Sequence, residues 1–143
     1  MSKKQFNFNY SFRVRYSEVD AQGIVFNAHY LTYFDCAMTE YLRYIKYDYV
    51  SEVKKRKEDF HTIKTLVEYK KPIAFDTIID CWVRVKKIGN SSLTFTMELH
   101  KSKKEDLLAI GEIIWVNTDQ VTNKPCKLPE HLCKNIIKHE KSL

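Results

Sequence analysis

Residues 16–30, YSEVDAQGIVFNAHY, join an alternating strand pattern to the longest helical pattern in the chain. This junction contains Asp20, Gly23, Asn27 and His29. Backbone N–H groups at the start of a helix lack intrahelical acceptors and can donate to an oxyanion. A carboxylate a few residues before the helix can attack a carbonyl held by those donors, or activate a water to do so. The junction therefore predicts a site for acyl chemistry that needs neither a metal nor a redox cofactor.

The same residues also suit a purely structural role. An aspartate before a loop and an asparagine near a helix start often serve as turn and capping residues. His29 is more often a cap or surface residue than a general base. Gly23 supplies a backbone conformation that a side chain would forbid, or lets a ligand approach closely. The residues alone leave the catalytic and the structural interpretations open.

The hydrophobic pattern around the junction predicts five strands and two helices. Apolar and polar residues alternate over residues 6–16, which is typical of a half-buried strand. From residue 28 or 29 to about residue 46 the apolar positions follow helical spacing. Residues 48–59 are polar and predict a loop, with a short helical turn as the alternative. The remaining strands are predicted at 61–70, 77–87, 91–101 and 107–117, with a hairpin turn at Gly89-Asn90 and a short helix after Pro129.

This order predicts an α+β fold with a single domain over residues 1–143. Strands that follow one another through short turns form an antiparallel sheet, and one long helix can lie across its concave face. The length is typical of one domain.

Composition and charge exclude several other classes of protein. No apolar run approaches the roughly 18 residues that a membrane span needs, and no apolar segment follows the N-terminal lysines. The four cysteines lack paired spacing, which favours a reducing compartment, and we expect a cytoplasmic location. Cys126, His131 and Cys133 have no second ligand pair nearby, so no metal site is predicted.

The net charge of +6 indicates an anionic partner rather than nucleic acid. The basic residues are distributed among separate runs at residues 54–57, 70–71, 86–87 and 101–104. None of these runs lies in an aromatic-rich nucleic-acid motif. One or two of them are candidates to bind a phosphate.

Several motifs resemble one known family. DAQGIVFNAHY at residues 20–30 resembles the signature of hotdog-fold acyl-CoA thioesterases of the 4-hydroxybenzoyl-CoA thioesterase type. It is most similar to the short bacterial acyl-CoA thioesterases associated with the Tol-Pal gene cluster. The likeness continues in AMTEYLR at 37–43, VEYKKP at 67–72, GNSSLTF at 89–95 and TNKP at 122–125. The resemblance implies a hotdog fold, in which an antiparallel sheet of about five strands wraps around one long central helix.

The resemblance also implies roles for the junction residues. Asp20 would act as nucleophile or general base on a thioester, and the backbone N–H of Asn27 would polarise the thioester carbonyl. Gly23, His29 and Tyr30 would lie beside the substrate. Close relatives often carry His or Tyr where Asn27 stands.

Further implications concern the substrate and self-association. Lys86, Lys87 and Ser91 are candidates to bind the phosphates of CoA. Members of the family form homodimers, commonly assembled into homotetramers, and CoA enters only as part of the substrate, so no cofactor is expected. The predicted function is hydrolysis of an acyl-CoA thioester. The alternatives are a thioesterase that acts on acyl carrier protein and a non-catalytic acyl-CoA-binding hotdog module.

Overall fold

The computed structural model describes residues 5–140 and 143. These residues form five antiparallel strands and three α-helices. Their order is β1 (Phe8–Arg13), a 3-10 turn (Tyr16–Glu18), α1 (His29–Tyr44), α2 (Tyr49–Arg56), β2 (Glu58–Tyr69), β3 (Ile78–Ile88), β4 (Ser92–Lys101), β5 (Leu107–Asp119) and α3 (Glu130–His139).

The strands form one sheet in the order β1-β3-β4-β5-β2. Each neighbouring pair is antiparallel, and β1 and β2 lie at the two edges. The inward side chains of β3 and β4 are completely buried: Ile79, Cys81, Val83, Val85, Leu93, Phe95, Met97 and Leu99. The predicted α+β class, the five strands and the antiparallel arrangement are confirmed.

Helix α1 packs its apolar face against this sheet. Phe34, Ala37 and Met38 are fully buried. A Cβ atom placed on Gly111 of β5 would lie 2.6 Å from the ring of Phe34, so the helix approaches the strand closely where β5 has no side chain. The predicted helix is confirmed, but the description of one long central helix is only partly met. α1 has 16 residues, and α2 and α3 are separate helices of eight and ten.

The first strand is shorter than its alternation predicts. It begins at Phe8 and ends at Arg13, and residues 16–18 form a 3-10 turn instead of continuing the strand. Phe6 lies outside the strand and contacts the ring of Trp82, with the centroids 6.4 Å apart. Trp82 alternates with the inward Val83, so Phe6 packs on the opposite face of the sheet from Phe8. The alternation of apolar and polar residues therefore extends further along the sequence than the pairing of β1 with β3.

The predicted loop at residues 48–59 is wrong for most of its length, because α2 occupies residues 49–56. The Asp48 side chain accepts a hydrogen bond from the Ser51 N–H and caps the helix. Glu52 and Arg56 pair across one helical turn at 2.7 Å. Lys57 then adopts a left-handed conformation and ends the helix. Capping and an ion pair thus stabilise a helix that contains few apolar residues.

The remaining boundaries shift by at most three residues. β2 begins at Glu58 rather than residue 61, because its pairing with β5 extends to Asp119. The hairpin between β3 and β4 is confirmed, and its Gly89 N–H donates to the Ser92 carbonyl at 2.8 Å.

Candidate active site at the start of helix α1

Residues 19–26 form a tight loop between β1 and α1. The Asp20 N–H donates to the Ile24 carbonyl at 2.9 Å, and the Val25 N–H donates to the Ile73 carbonyl at 2.8 Å. Gly23 has φ +75° at the tip, and its N–H donates to the Asp20 carbonyl at 2.9 Å. A Cβ atom on Gly23 would meet no atom within 4 Å. Within this chain the glycine is therefore required by the backbone conformation and not by close packing.

Asp20 performs the turn role that the sequence left open. Its Oδ1 accepts a hydrogen bond from the Gln22 N–H at 2.8 Å, which closes the turn. Its Oδ2 accepts no hydrogen bond from the other described residues. The turn thus holds a half-buried carboxylate in place while one of its oxygens stays available to a ligand.

Asn27 is exposed and lies two residues before α1. The capping residue of the helix is Ala28, and no side chain caps it, so Asn27 does not act as the predicted structural cap. The His29 N–H donates to the Phe26 carbonyl at 3.0 Å, and the Tyr30 N–H is 3.4 Å from the Asn27 carbonyl. The N–H of Asn27 itself donates to no acceptor among residues 5–140. This group is available to an oxyanion at the positive end of the helix dipole.

Asp20 and Asn27 line the same cavity, which has a volume of about 320 Å³. Tyr30 lines it as well, so the structure brings three of the predicted site residues together. Gly23 lies in the adjacent turn, outside the lining. His29 is half-buried, with its ring 6.1 Å from that of Phe26, and does not line the cavity either. The other lining residues are Ile24, Val25, Tyr69, Lys70, Lys71 and Pro72.

Two tyrosines form the wall of the cavity next to Asn27. Tyr30 is 3% exposed, and its ring meets that of Tyr69 edge-on at 4.8 Å. The Tyr69 hydroxyl donates to the Asn27 carbonyl at 3.3 Å. Burial raises the pKa of Tyr30, so its hydroxyl stays neutral at physiological pH. Tyr69 belongs to the VEYKKP motif but was not among the predicted site residues.

The basic residues at this cavity are Lys70 and Lys71, at the end of β2. The Lys70 Nζ lies 2.9 Å from Glu68, and the Lys71 Nζ lies 2.5 Å from Asp106. Both lysines are exposed. The sequence marked this pair as a basic run but did not connect it to Asp20, because β2 and the junction are about 50 residues apart in the chain. The position of the pair in the VEYKKP motif was the available signal.

Lys86, Lys87 and Ser91 lie elsewhere, around the β3–β4 hairpin. Lys86 pairs with Glu112 at 3.7 Å, and the Ser91 carbonyl accepts from the Asn117 N–H at 2.7 Å. Lys87 is in register with Thr94, Ile114 and Lys64 across the sheet. Lys64 is five residues from Tyr69 on β2, or about 17 Å at strand spacing. A single chain therefore does not place these residues beside Asp20, and their contact with CoA stays a prediction.

No group of three or more His, Cys, Asp or Glu side chains in residues 5–140 and 143 is placed to hold a metal ion. None of the helices in this part of the chain is long and apolar enough to cross a bilayer.

The sequence matches the family model of the thioesterase-like superfamily over residues 14–136. Because the match spans most of the chain, this protein belongs to that superfamily. The predicted enzyme class, thioester hydrolase, is confirmed. A curated relative, the acyl-CoA thioester hydrolase YbgC of Escherichia coli, is 29% identical over 125 residues, which cover 87% of this chain and 92% of that protein.

Solved structures share the fold. A protein from Aquifex aeolicus superposes with a TM-score of 0.81 at 25% identity and covers 90% of this chain and 98% of its own. The 1,4-dihydroxy-2-naphthoyl-CoA thioesterase of Synechocystis superposes with a TM-score of 0.85 over 91% of this chain and 95% of its own. Its identity is 15%, so that likeness concerns the fold alone.

Proposed function

We propose that this protein hydrolyses acyl-CoA thioesters to a carboxylic acid and free CoA. The observation that carries the proposal is that Asp20 and Asn27 line one cavity at the start of α1. This arrangement supplies a carboxylate and a backbone donor within the same cavity. The relative named acyl-CoA thioester hydrolase supports the same substrate class.

The Asn27 N–H would receive the thioester carbonyl oxygen and stabilise the negative charge that develops there. Asp20 would act in one of two ways. As a general base it takes a proton from water, whose oxygen attacks the carbonyl carbon, and the C–S bond breaks to release CoA as thiolate. As a nucleophile it forms a mixed anhydride with release of the thiolate, and water then hydrolyses the anhydride. Neither route needs a cofactor beyond the CoA of the substrate.

The walls of the cavity suit the reacting end of such a substrate. Ile24, Val25 and Pro72 contribute apolar surface that an acyl chain can contact. Lys70 and Lys71 bring positive charge to the same cavity, and because both are exposed they can bind an anionic part of CoA that extends out of it. We therefore add these two lysines to Lys86, Lys87 and Ser91 as candidate CoA contacts.

We also propose that the protein works as a homodimer, either alone or assembled into a homotetramer. β2 is a 12-residue edge strand, and its large side chains Ile63, Leu66 and Tyr69 are all exposed. A long apolar edge with unpaired backbone groups is a template for pairing with a second strand. Tyr69 also lines the cavity, so pairing through β2 would place the partner next to the site.

The four cysteines form no disulfide, which favours a reducing compartment such as the cytoplasm.

The test is release of thiol from a panel of short, long and aromatic acyl-CoAs by the protein and by Asp20→Asn. We expect the substitution to lower kcat by about 10² to 10⁴-fold, the range of a lost acid–base group. The matched control is Asp119→Asn, because Asp119 also closes a turn by accepting backbone N–H groups, from Val121 and Thr122. It lies outside the lining of the cavity. Near-normal hydrolysis by Asp20→Asn would remove Asp20 from the mechanism.

The alternative functions are separated with the same assay. One acyl chain is presented on CoA and on acyl carrier protein, and the faster reaction identifies the carrier. Tight binding of acyl-CoA without release of thiol would instead favour a binding module.

A further inference from the structure

Glu18 is a buried carboxylate two residues before Asp20, and it is only 5% exposed. Its Oε1 accepts hydrogen bonds from the Arg15 N–H at 2.8 Å and from the Tyr33 hydroxyl at 2.9 Å. Its Oε2 accepts from the Arg15 guanidinium, with Nη2 at 2.8 Å and Nε at 3.1 Å. One side chain thus connects the segment after β1 to the first turns of α1.

The backbone of Glu18 holds the other side of the loop. Its carbonyl accepts from the Phe26 N–H at 2.9 Å. Phe26 precedes Asn27, and its own carbonyl accepts from the His29 N–H at the start of α1. Val19, the next residue after Glu18, pairs with Val25 across the loop. Glu18 is therefore adjacent to both arms of the loop, the one that carries Asp20 and the one that leads to Asn27.

Glu18 itself is absent from the lining of the cavity that Asp20 and Asn27 share. Its contacts instead determine how α1, which begins just after Asn27, is placed relative to the turn that holds Asp20. Reacting groups must be placed within fractions of an ångström, and a displacement of about 1 Å can cost roughly 10²-fold in rate. Loss of the Glu18 contacts would let the position of Asp20 relative to the Asn27 N–H vary, while both residues would still line the cavity.

We infer that Glu18 is a positioning residue, which holds Asp20 and the Asn27 N–H in their mutual arrangement without touching the substrate. This inference rests on the proposed function. It adds a charged residue that acts through the loop and through Tyr33.

The chain offers a matched control in Glu140, which is 7% exposed. Its Oε2 also accepts from a tyrosine hydroxyl, that of Tyr41, and from a backbone N–H, that of Val85 at 2.9 Å. Glu140 follows α3 and is absent from the lining of the cavity. Glu18→Gln and Glu140→Gln therefore each replace a buried carboxylate that accepts from a tyrosine hydroxyl and from a backbone N–H, and only Glu18 adjoins the site.

The experiment compares steady-state hydrolysis of acyl-CoA by the protein, Glu18→Gln, Tyr33→Phe and Glu140→Gln. We expect Glu18→Gln to lower kcat by about 10- to 100-fold while KM changes less than about twofold, because the lost interaction acts on the transition state. Tyr33→Phe removes one of the donors and should give a smaller loss in the same direction. Glu140→Gln should keep kcat. Equal kcat in Glu18→Gln and Glu140→Gln would overturn the inference.

Amide hydrogen exchange in the unliganded proteins separates this result from a failure of the proposed function. We expect Glu18→Gln to speed exchange at residues 20–26, and Glu140→Gln to leave these amides unchanged. If the unmodified protein releases no thiol, the proposed function fails, and unchanged exchange in Glu18→Gln then overturns the positioning role as well. If the unmodified protein hydrolyses acyl-CoA and Glu18→Gln retains full kcat, only the inference fails.

Discussion

At the scale of single residues, the structural and catalytic interpretations of Asp20 are compatible. One carboxylate oxygen closes the turn onto the Gln22 N–H, and Asp20 still lines the cavity. A side chain that is fixed by its own turn loses less freedom when a ligand binds. Asn27 differs, because it does not cap the helix and its backbone is the functional part in our proposal.

Tyr69 provides a prediction at this scale. Its hydroxyl donates to the Asn27 carbonyl, and a typical hydrogen bond contributes about 0.5 to 1.5 kcal/mol. We therefore expect Tyr69→Phe to lower kcat for acyl-CoA hydrolysis by about 2- to 10-fold and to leave the fold intact. Tyr44→Phe serves as the control, since the Tyr44 ring packs against Phe8 and does not line the cavity. Equal effects of the two substitutions would exclude this role of Tyr69.

At the scale of elements, edge position and chain order decide which residues meet. The end of β2 reaches the loop at residues 19–26 because the segment that follows β2 bonds to that loop, through Ile24 with Ala74 and Val25 with Ile73. This pairing brings Lys70 and Lys71 to the cavity. Lys86 and Lys87 stay at the hairpin between β3 and β4.

The exposed edge of β2 gives the prediction for elements. If two copies pair through antiparallel β2 strands, residues near the two-fold axis face their own copies, and introduced lysines repel each other. We expect Ile63→Lys and Leu66→Lys to shift the protein towards monomer in light scattering coupled to size exclusion. Val121→Lys is the control, because Val121 is 79% exposed and lies in the turn after β5, outside the β2 strand. A monomeric unmodified protein would contradict the proposed dimer.

At the scale of the whole molecule, two buried glutamates each bond to a tyrosine of α1 and respond to pH in opposite directions. Burial of Glu18 opposes its ionisation, but hydrogen bonds from Arg15 and Tyr33 outweigh it and hold its pKa below the usual 4.5. For Glu140, burial outweighs the hydrogen bonds from Tyr41 and Val85 and raises its pKa above 4.5. Glu18 receives hydrogen bonds from both the backbone N–H and the guanidinium of Arg15, whereas at Glu140 burial dominates although Arg84 and His139 lower its pKa.

The signs follow from linkage between protonation and folding. A lowered pKa means that Glu18 stabilises the fold above pH 4.5 and that this contribution is lost as the pH falls through its lowered value. A raised pKa means that the contribution of Glu140 is present below pH 4.5 and is lost as the pH rises through its raised value. Urea unfolding of the protein, of Glu18→Gln and of Glu140→Gln across this pH range measures the contribution of each glutamate to the free energy of unfolding. We expect Glu18→Gln to lower the free energy of unfolding less at low pH, and Glu140→Gln to lower it less at high pH. Parallel pH curves for the two variants would contradict this expectation.

The features that depend on local pattern follow from the amino-acid sequence alone. Period-two alternation placed β3 and β4, a run that is apolar on both faces placed β5, helical spacing placed α1, and the turn chemistry of Asp20 and Gly23 marked the loop. The resemblance to thioesterases then named the two groups that share the cavity. These features depend on residues that are close together in the chain, because such residues set the backbone conformation and decide which face is apolar.

Which distant residues join the site depends on how the chain folds. The sequence did not show that Phe6 changes face, that Lys70 and Lys71 line the cavity of Asp20, or that Glu18 bonds to Tyr33. Each of these contacts depends on strand pairing and helix placement across many residues. A charged side chain such as Glu18 looks like a surface residue in the sequence. Its burial follows from the donors that the folded chain brings to both of its oxygens.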